Sequence, residues 1–169
     1  LEGVGSGAGT TTYGDVVNAD CVIITGSNPT ANHPVASSFF KQARRRGTKV
    51  VYVDPRASAV AEHADIFVQL KPGTDVAFYN ALMHEIIRLG LVDREFIANR
   101  TSNYDELART VADYPPERAA QITGVDADTI RAVARTWGWS VSSRRRASAH
   151  RRSTPPTCPR TSWSGSPRP

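Results

Sequence analysis

The sequence predicts an α/β fold in which a parallel sheet is covered by helices. Three observations predict it. First, three short apolar runs have strand length: residues 20–25 (DCVIIT), 49–53 (KVVYV) and 66–70 (IFVQL). Runs apolar on both faces suit buried parallel strands. Second, helical patterns separate and follow these runs, and that alternation implies right-handed crossovers. Third, each run ends in a polar, turn-rich segment, which a parallel sheet gathers on one edge.

The elements follow in order. Residues 1–14 are rich in Gly and Thr and read as a loop. Glycines 3, 5, 7 and 9 have neither the G-x-G-x-x-G nor the Gly-Lys-Ser/Thr spacing of a phosphate loop. Residues 15–19 fit one helical turn. The first strand stops at Gly26, and residues 26–33 (GSNPTANH) form a loop. Pro34 suits the first position of a helix reaching about Arg46, with Gly47 as its stop. The second strand ends in Asp54-Pro55-Arg56, and a short helix is expected over 58–63. The third strand ends in Lys71-Pro72-Gly73-Thr74. Thr74 can cap a long helix over 75–89, with Gly90 at its C-terminal stop.

Residues 91–136 read as short helices near 93–100, 104–112, 115–122 and 126–136, with Asp126 capping the last. Together these features give a Rossmann-like parallel sheet with flanking helices, then a small helical segment. Residues 1–139 form that α/β unit. Residues 140–169 hold eight serines, five prolines and seven arginines but no acid. Such a composition buries too little apolar surface to offset chain entropy, and a disordered basic tail is expected.

The formal net charge is +5, from 21 Lys and Arg against 16 Asp and Glu. Read whole, it suggests an anionic polymer as partner. Without the tail's seven arginines, residues 1–139 carry 14 basic and 16 acidic residues, a net of −2. The positive charge belongs to the tail, which has few aromatics and no docking motif, so nucleic acid is disfavoured. No apolar run nears the 18 residues a membrane helix needs, and the N-terminus does not read as a signal peptide. Two cysteines, Cys21 and Cys158, make no disulfide framework or four-thiolate site. A reducing, cytoplasmic setting is expected.

The three strand-end segments form the candidate site. The first contributes Gly26, Ser27, Asn28, Pro29, Thr30, Asn32 and His33, the second Asp54, Pro55 and Arg56, the third Gly73, Thr74 and Asp75. Gly26 lets backbone approach a phosphate closely. The polar side chains supply hydrogen bonds, and the helix opening at Pro34 points N–H groups at an anion. Arg56 can pair with pyrophosphate. Asp54 and Asp75 can accept from ribose hydroxyls or the N–H edge of guanine. Each segment alone is an ordinary turn or helix start; their coincidence at one edge favours a large phosphorylated nucleotide.

Other candidates are weaker. Cys21 lies within an apolar strand, where a thiol packs as a small hydrophobe. His33 could touch a ligand or cap the helix. His63 and His84 lack a second set of metal ligands, and Glu62 and Glu85 lack partners for acid/base work. No catalytic residue and no metal ligand is assigned.

Three stretches carry a resemblance: DVVNADCVIITGSNPTANHPV, KVVYVDPR and HADIFVQLKPGTDVAFYNAL. In this order they resemble the molybdopterin oxidoreductase superfamily. Downstream, GLVDREFIANRTSNYDEL, Pro116-Glu117 and ITGVDADTIRAVART are similar to the formate dehydrogenase alpha subunit of the cytoplasmic NAD-dependent type, more than to nitrate reductase. The resemblance runs from about Gly5 to Thr136. It implies a bis(molybdopterin guanine dinucleotide) cofactor of molybdenum or tungsten, one arm of which this domain holds. It maps that arm onto the same three loops, with Asp75 as the guanine contact. It implies formate as substrate, carbon dioxide as product, and electrons passed to NAD through iron–sulfur subunits.

The family's Cys or selenocysteine followed by His is not in this sequence, nor are iron–sulfur cluster ligands. The expectation is an interior fragment of an alpha subunit, inactive alone, whose partners are the rest of that subunit and the NAD and iron–sulfur subunits. The tail resembles high-GC DNA read out of frame, and a frameshift near 137–142 is expected. The alternative is a free-standing nucleotide-binding module, or another molybdopterin oxidoreductase such as nitrate reductase. A nicotinamide-binding enzyme is disfavoured, because the turn after the first strand lacks G-x-G-x-x-G.

Overall fold

A computed structural model describes residues 12–138. The N-terminal Gly-rich loop, the expected disordered tail and most of the proposed frameshift window lie outside these residues. The elements in chain order are α1 (Tyr13–Val16), β1 (Cys21–Thr25), α2 (Pro29–Asn32), α3 (Pro34–Arg45), β2 (Lys49–Val53), a 3-10 turn (Ala61–His63), β3 (Ile66–Val68), α4 (Asp75–Arg88), α5 (Arg94–Arg100), α6 (Tyr104–Ala112) and α7 (Pro116–Thr123). A final helix, α8, covers residues 127–138. The fold class is mixed α/β.

The three strands form one sheet in the order β1-β2-β3, and both pairings are parallel. Thr25 aligns with Val53, and Val53 with Val68, so the strands finish level with one another. The side chains alternate across the sheet as the strand period requires. On one face Ile24, Val50 and Tyr52 pack with Val60 and are flanked by Phe40 of α3 and Phe67. On the other, Val51, Val53 and Val68 pack with Phe78, Ala81 and Leu82 of α4, Ala119 of α7, and Ile130, Val133 and Ala134 of α8. β2 is sealed between the layers, its last four residues all buried.

β1 departs from its expected burial. Cys21, Val22 and Ile23 are only half-buried, and Ile24 alone is fully covered. The reason is its place in the sheet: among the described residues it pairs with β2 on one side only. The expected helix over 58–63 shrinks to a 3-10 turn, and β3 stops at Val68 rather than Leu70.

Polar links tie the helices together. His84 Nδ1 lies 3.0 Å from the Val111 carbonyl, joining α4 to α6. Asp126 Oδ2 accepts from the N–H groups of Asp128 (3.0 Å) and Thr129 (3.2 Å), capping α8 as its sequence predicts. Arg131 pairs with Glu117 of α7 and Asp128. Among the described residues no helix is long and apolar enough to cross a membrane.

Candidate functional site

Level strand ends bring the three polar loops to one edge of the sheet. The ladder continues one residue into each of the first two. Gly26 N–H donates to Val53 O (3.0 Å) and Asp54 N–H to Val68 O (3.1 Å). The loops therefore leave a common rim.

The first loop turns at Gly26, whose φ of +54° lies in the left-handed region that favours glycine. It is not a plain loop: residues 29–32 close one helical turn, α2, ahead of α3. Asn28 organises it. Its carbonyl accepts from Ala31 and Asn32 N–H, and its Oδ1 accepts from the Thr30 hydroxyl at 2.6 Å. Pro29 is buried, Ser27 half-buried, Asn32 and His33 exposed. His33 occupies the N-cap of α3 but makes no side-chain cap bond. The first intrahelical bond of α3 runs from Ser37 N–H to His33 O, so Val35 and Ala36 N–H stand ahead of it at the helix head. Pro34 has none to offer.

The second loop is an Asx-type turn. Asp54 Oδ1 accepts from Arg56 N–H at 2.8 Å, which fixes the backbone and turns the Arg56 side chain outward, exposed. Beneath it, the Tyr52 hydroxyl sits 2.8 Å from Ser58 Oγ. Burial is the main cause pushing the Tyr52 phenol above its ordinary pKa. Gln69 Nε2 donates to Pro55 O (3.0 Å) and so ties the second loop to the end of β3.

The third loop turns at Gly73, with φ +79°. Thr74 holds the N-cap position of α4, yet its hydroxyl does not cap the helix. It donates backward to Lys71 O (2.7 Å), closing the Lys71–Thr74 turn instead. Asp75 is the first helical residue and is exposed, its carboxylate favoured by the positive end of the helix dipole. Lys71 N–H donates to Thr123 O (3.0 Å), so α7 steadies this loop from below.

All thirteen sequence-predicted residues thus fall on this edge or on the loops that leave it. Sequence reasoning gave no role to Lys71 or Gln69. For Lys71 the available signal was position, directly after the third apolar run; Gln69 was hidden because it falls inside the predicted run 66–70, and β3 stops one residue before it. Among the described residues neither Arg56 nor Lys71 forms a salt bridge. The edge accordingly presents two exposed cations, two exposed helix heads, a cluster of short polar side chains and the carboxylates of Asp54 and Asp75.

Cys21 is not part of it. It lies at the start of β1, at the opposite edge, and burial pushes its thiol up to about 11. A thiol so shifted is protonated and unreactive at neutral pH.

Residues 3–156 match the molybdopterin oxidoreductase family, and the chain belongs to that family. Membership implies a molybdenum or tungsten molybdopterin cofactor. The chain is 42% identical, over 134 residues, to the F420-dependent formate dehydrogenase 1 subunit alpha of Methanococcus maripaludis, covering 79% of this chain and 20% of that protein. It is 37% identical over 142 residues to formate dehydrogenase H of Escherichia coli, covering 84% and 20%. Among solved structures, acetylene hydratase from Pelobacter acetylenicus superposes with a TM-score of 0.65 at 33% identity, over 72% of this chain and 19% of that one. The chain spans about a fifth of the length of the curated relatives it matches. These relatives are of the F420-dependent and H types, so the likeness reaches the formate dehydrogenase alpha subunit without singling out the NAD-dependent type.

Proposed function

We propose that this unit is part of a formate dehydrogenase alpha subunit, and that its sheet edge grips one guanine dinucleotide arm of a bis(molybdopterin guanine dinucleotide) cofactor. The observation that carries the reading is the convergence of three polar loops with Arg56 and Lys71, neither in a salt bridge among the described residues. Arg56 offers a fork of parallel N–H donors and Lys71 a point charge, which together suit a pyrophosphate. The helix head at Val35 and Ala36 adds backbone donors for the same anion. Asp54 keeps one oxygen beyond its bond to Arg56 N–H, available to a ribose hydroxyl. Asp75 is the acceptor for the N–H edge of guanine, a pairing an adenine cannot repeat.

When bound, the molybdenum or tungsten group supplies the redox chemistry, in which formate becomes carbon dioxide, two electrons and a proton. The residues of this chain bind and orient. Neither Cys21 nor Cys158 is followed by His, so the reading places the chemical step on other parts of the alpha subunit. An iron–sulfur relay and NAD as acceptor rest on the sequence resemblance, and a cytoplasmic setting on the cysteine usage as well. Three relatives are named for F420 instead.

The test is calorimetric titration of the 169-residue chain with GDP, with ADP and inorganic pyrophosphate as comparisons. Saturable GDP binding, tighter than either comparison, is expected. Arg56→Ala and Lys71→Ala should each weaken it about tenfold, the worth of one charge-assisted hydrogen bond. Asp75→Asn should erase the preference over ADP. A folded chain that binds no GDP, or binds pyrophosphate equally well, overturns the reading.

A further inference from the structure

The two faces of the sheet are unequally filled. Toward α4, α7 and α8 twelve buried residues form one apolar cluster, whereas the cluster toward α3 has four, Ile24, Val50, Tyr52 and Val60. A cavity of about 20 Å³ lies on that thinner side. Ile24, Val50 and Val60 give it an apolar lining. Its polar lining comes from three elements: Thr30 of α2, Ser37 and Lys41 of α3, and His63 of the 3-10 turn.

Ser37 marks this cavity as wet. The residue is 6% exposed, and its hydroxyl has no hydrogen-bond partner among the described residues. Its neighbour Ser38 instead donates within the helix, to Val35 O at 2.7 Å. A hydroxyl left buried and unpaired is costly, and such groups are normally met by protein or by ordered water. The Thr30 hydroxyl commits its proton to Asn28 Oδ1 (2.6 Å), so its lone pairs remain to accept. Neither Lys41 nor His63 forms a salt bridge among the described residues. Size limits the occupant. One water needs roughly 10–15 Å³ of such space, and an oxyanion such as phosphate is too large.

We propose that this cavity holds one structural water that ties Thr30 to α3 and to the 3-10 turn. The Ser37 hydroxyl and the Lys41 ammonium donate to it, and it donates to Thr30 Oγ1 and to a ring nitrogen of neutral His63. Two donors and two acceptors match the four bonds that a water can make. Its effect falls on the first polar loop. Thr30 holds the side chain of Asn28, whose carbonyl accepts from Ala31 and Asn32 N–H. The inference does not rest on the cofactor reading.

Water-to-methyl magnetic cross-relaxation in the full chain tests it, read at Ile24, Val50 and Val60. Xenon shifts of the same methyls are the opposing measurement, since a dry apolar cavity takes up xenon. Cross-peaks from a long-lived water and no xenon shift are expected. Ser37→Val removes the hydroxyl and fills the space, and should abolish the cross-peaks. If that variant does not fold, Val60→Ile fills the cavity from another wall and should do the same. With the water gone, amide hydrogen exchange at Asn32 should quicken about fivefold, the worth of one hydrogen bond. Val51, in a strand paired on both sides, should hold. Absence of water cross-peaks in the parent, with or without xenon shifts, overturns the proposal. So do cross-peaks that survive filling, and so does Asn32 exchange that stays unchanged when the water is lost.

Discussion

The stem of Lys71 lies across Gly124: a Cβ on Gly124 would meet Lys71 Cε at 3.1 Å and Cγ at 3.6 Å. Gly124 also ends α7 with φ +76°. One glycine therefore closes a helix and leaves room for a cation of the candidate site. Gly124→Ala should cost about 1–2 kcal/mol for the left-handed backbone and should also displace Lys71. Gly90→Ala carries the same backbone strain (φ +66°) with nothing within 4 Å of its Cβ. Urea unfolding should show similar losses for the two variants, and GDP titration a loss for Gly124→Ala alone. Equal GDP affinities would separate Lys71 from the site.

The alkaline limb of stability should report β1 and β2. Burial raises the Cys21 thiol from 9.0 to about 11 and moves the Tyr52 phenol upward from 10.0. Both groups are neutral in the fold and lose their protons more readily when unfolded. Their contribution is complete below pH 9 and is lost as pH rises from 9 through 11. Cys21→Val should flatten stability over that window, and Tyr52→Phe should flatten its upper end. Tyr52→Phe also removes the 2.8 Å bond to Ser58, at about 1 kcal/mol near neutrality. Guanidinium melts at stepped pH measure both effects, and parallel curves for Cys21→Val and the parent would refute this account.

The acid limb should report Glu85. Its residue is 1% exposed on α4, and its two oxygens accept from Arg88 Nε (2.8 Å) and Nη2 (2.7 Å). Those bonds from Arg88 hold its carboxyl below the ordinary range. A depressed carboxylate adds stability above its unfolded value of 4.5, which is lost as pH falls through the lower folded value. Glu85→Gln should cost about 1–3 kcal/mol at pH 7 and should flatten the decline below pH 4.5. A variant that declines as steeply as the parent would place the acid response elsewhere.

Most of this fold was legible because its signals are local. KVVYV predicts β2 at its observed bounds, since it is apolar on both faces and its burial needs no distant partner. Asp126 is legible as a cap because capping acts over three residues. β1 misled for the opposite reason: its composition asks for burial on both sides, and burial depends on which strand lies beyond it. The sequence predicts that the Thr74 hydroxyl caps α4, but it donates to the carbonyl of Lys71 instead. Within the site, the loops were legible from their turn residues. The links between loops, such as Gln69 to Pro55 across 14 positions, were not.

That last link gives a prediction of its own. The Gln69 amide is exposed and holds the Pro55 carbonyl from the neighbouring strand end, while Asp54 holds Arg56 N–H from within the loop. An exposed hydrogen bond contributes about 0.5 kcal/mol, so Gln69→Leu should barely move the melting midpoint. Its effect should fall on where Arg56 is held. GDP affinity should drop about twofold, the same free energy read at the ligand. Arg56→Ala in the Gln69→Leu background should then lose less than in the parent, because the two act through one contact. Additive losses would mean that Gln69 does not position Arg56.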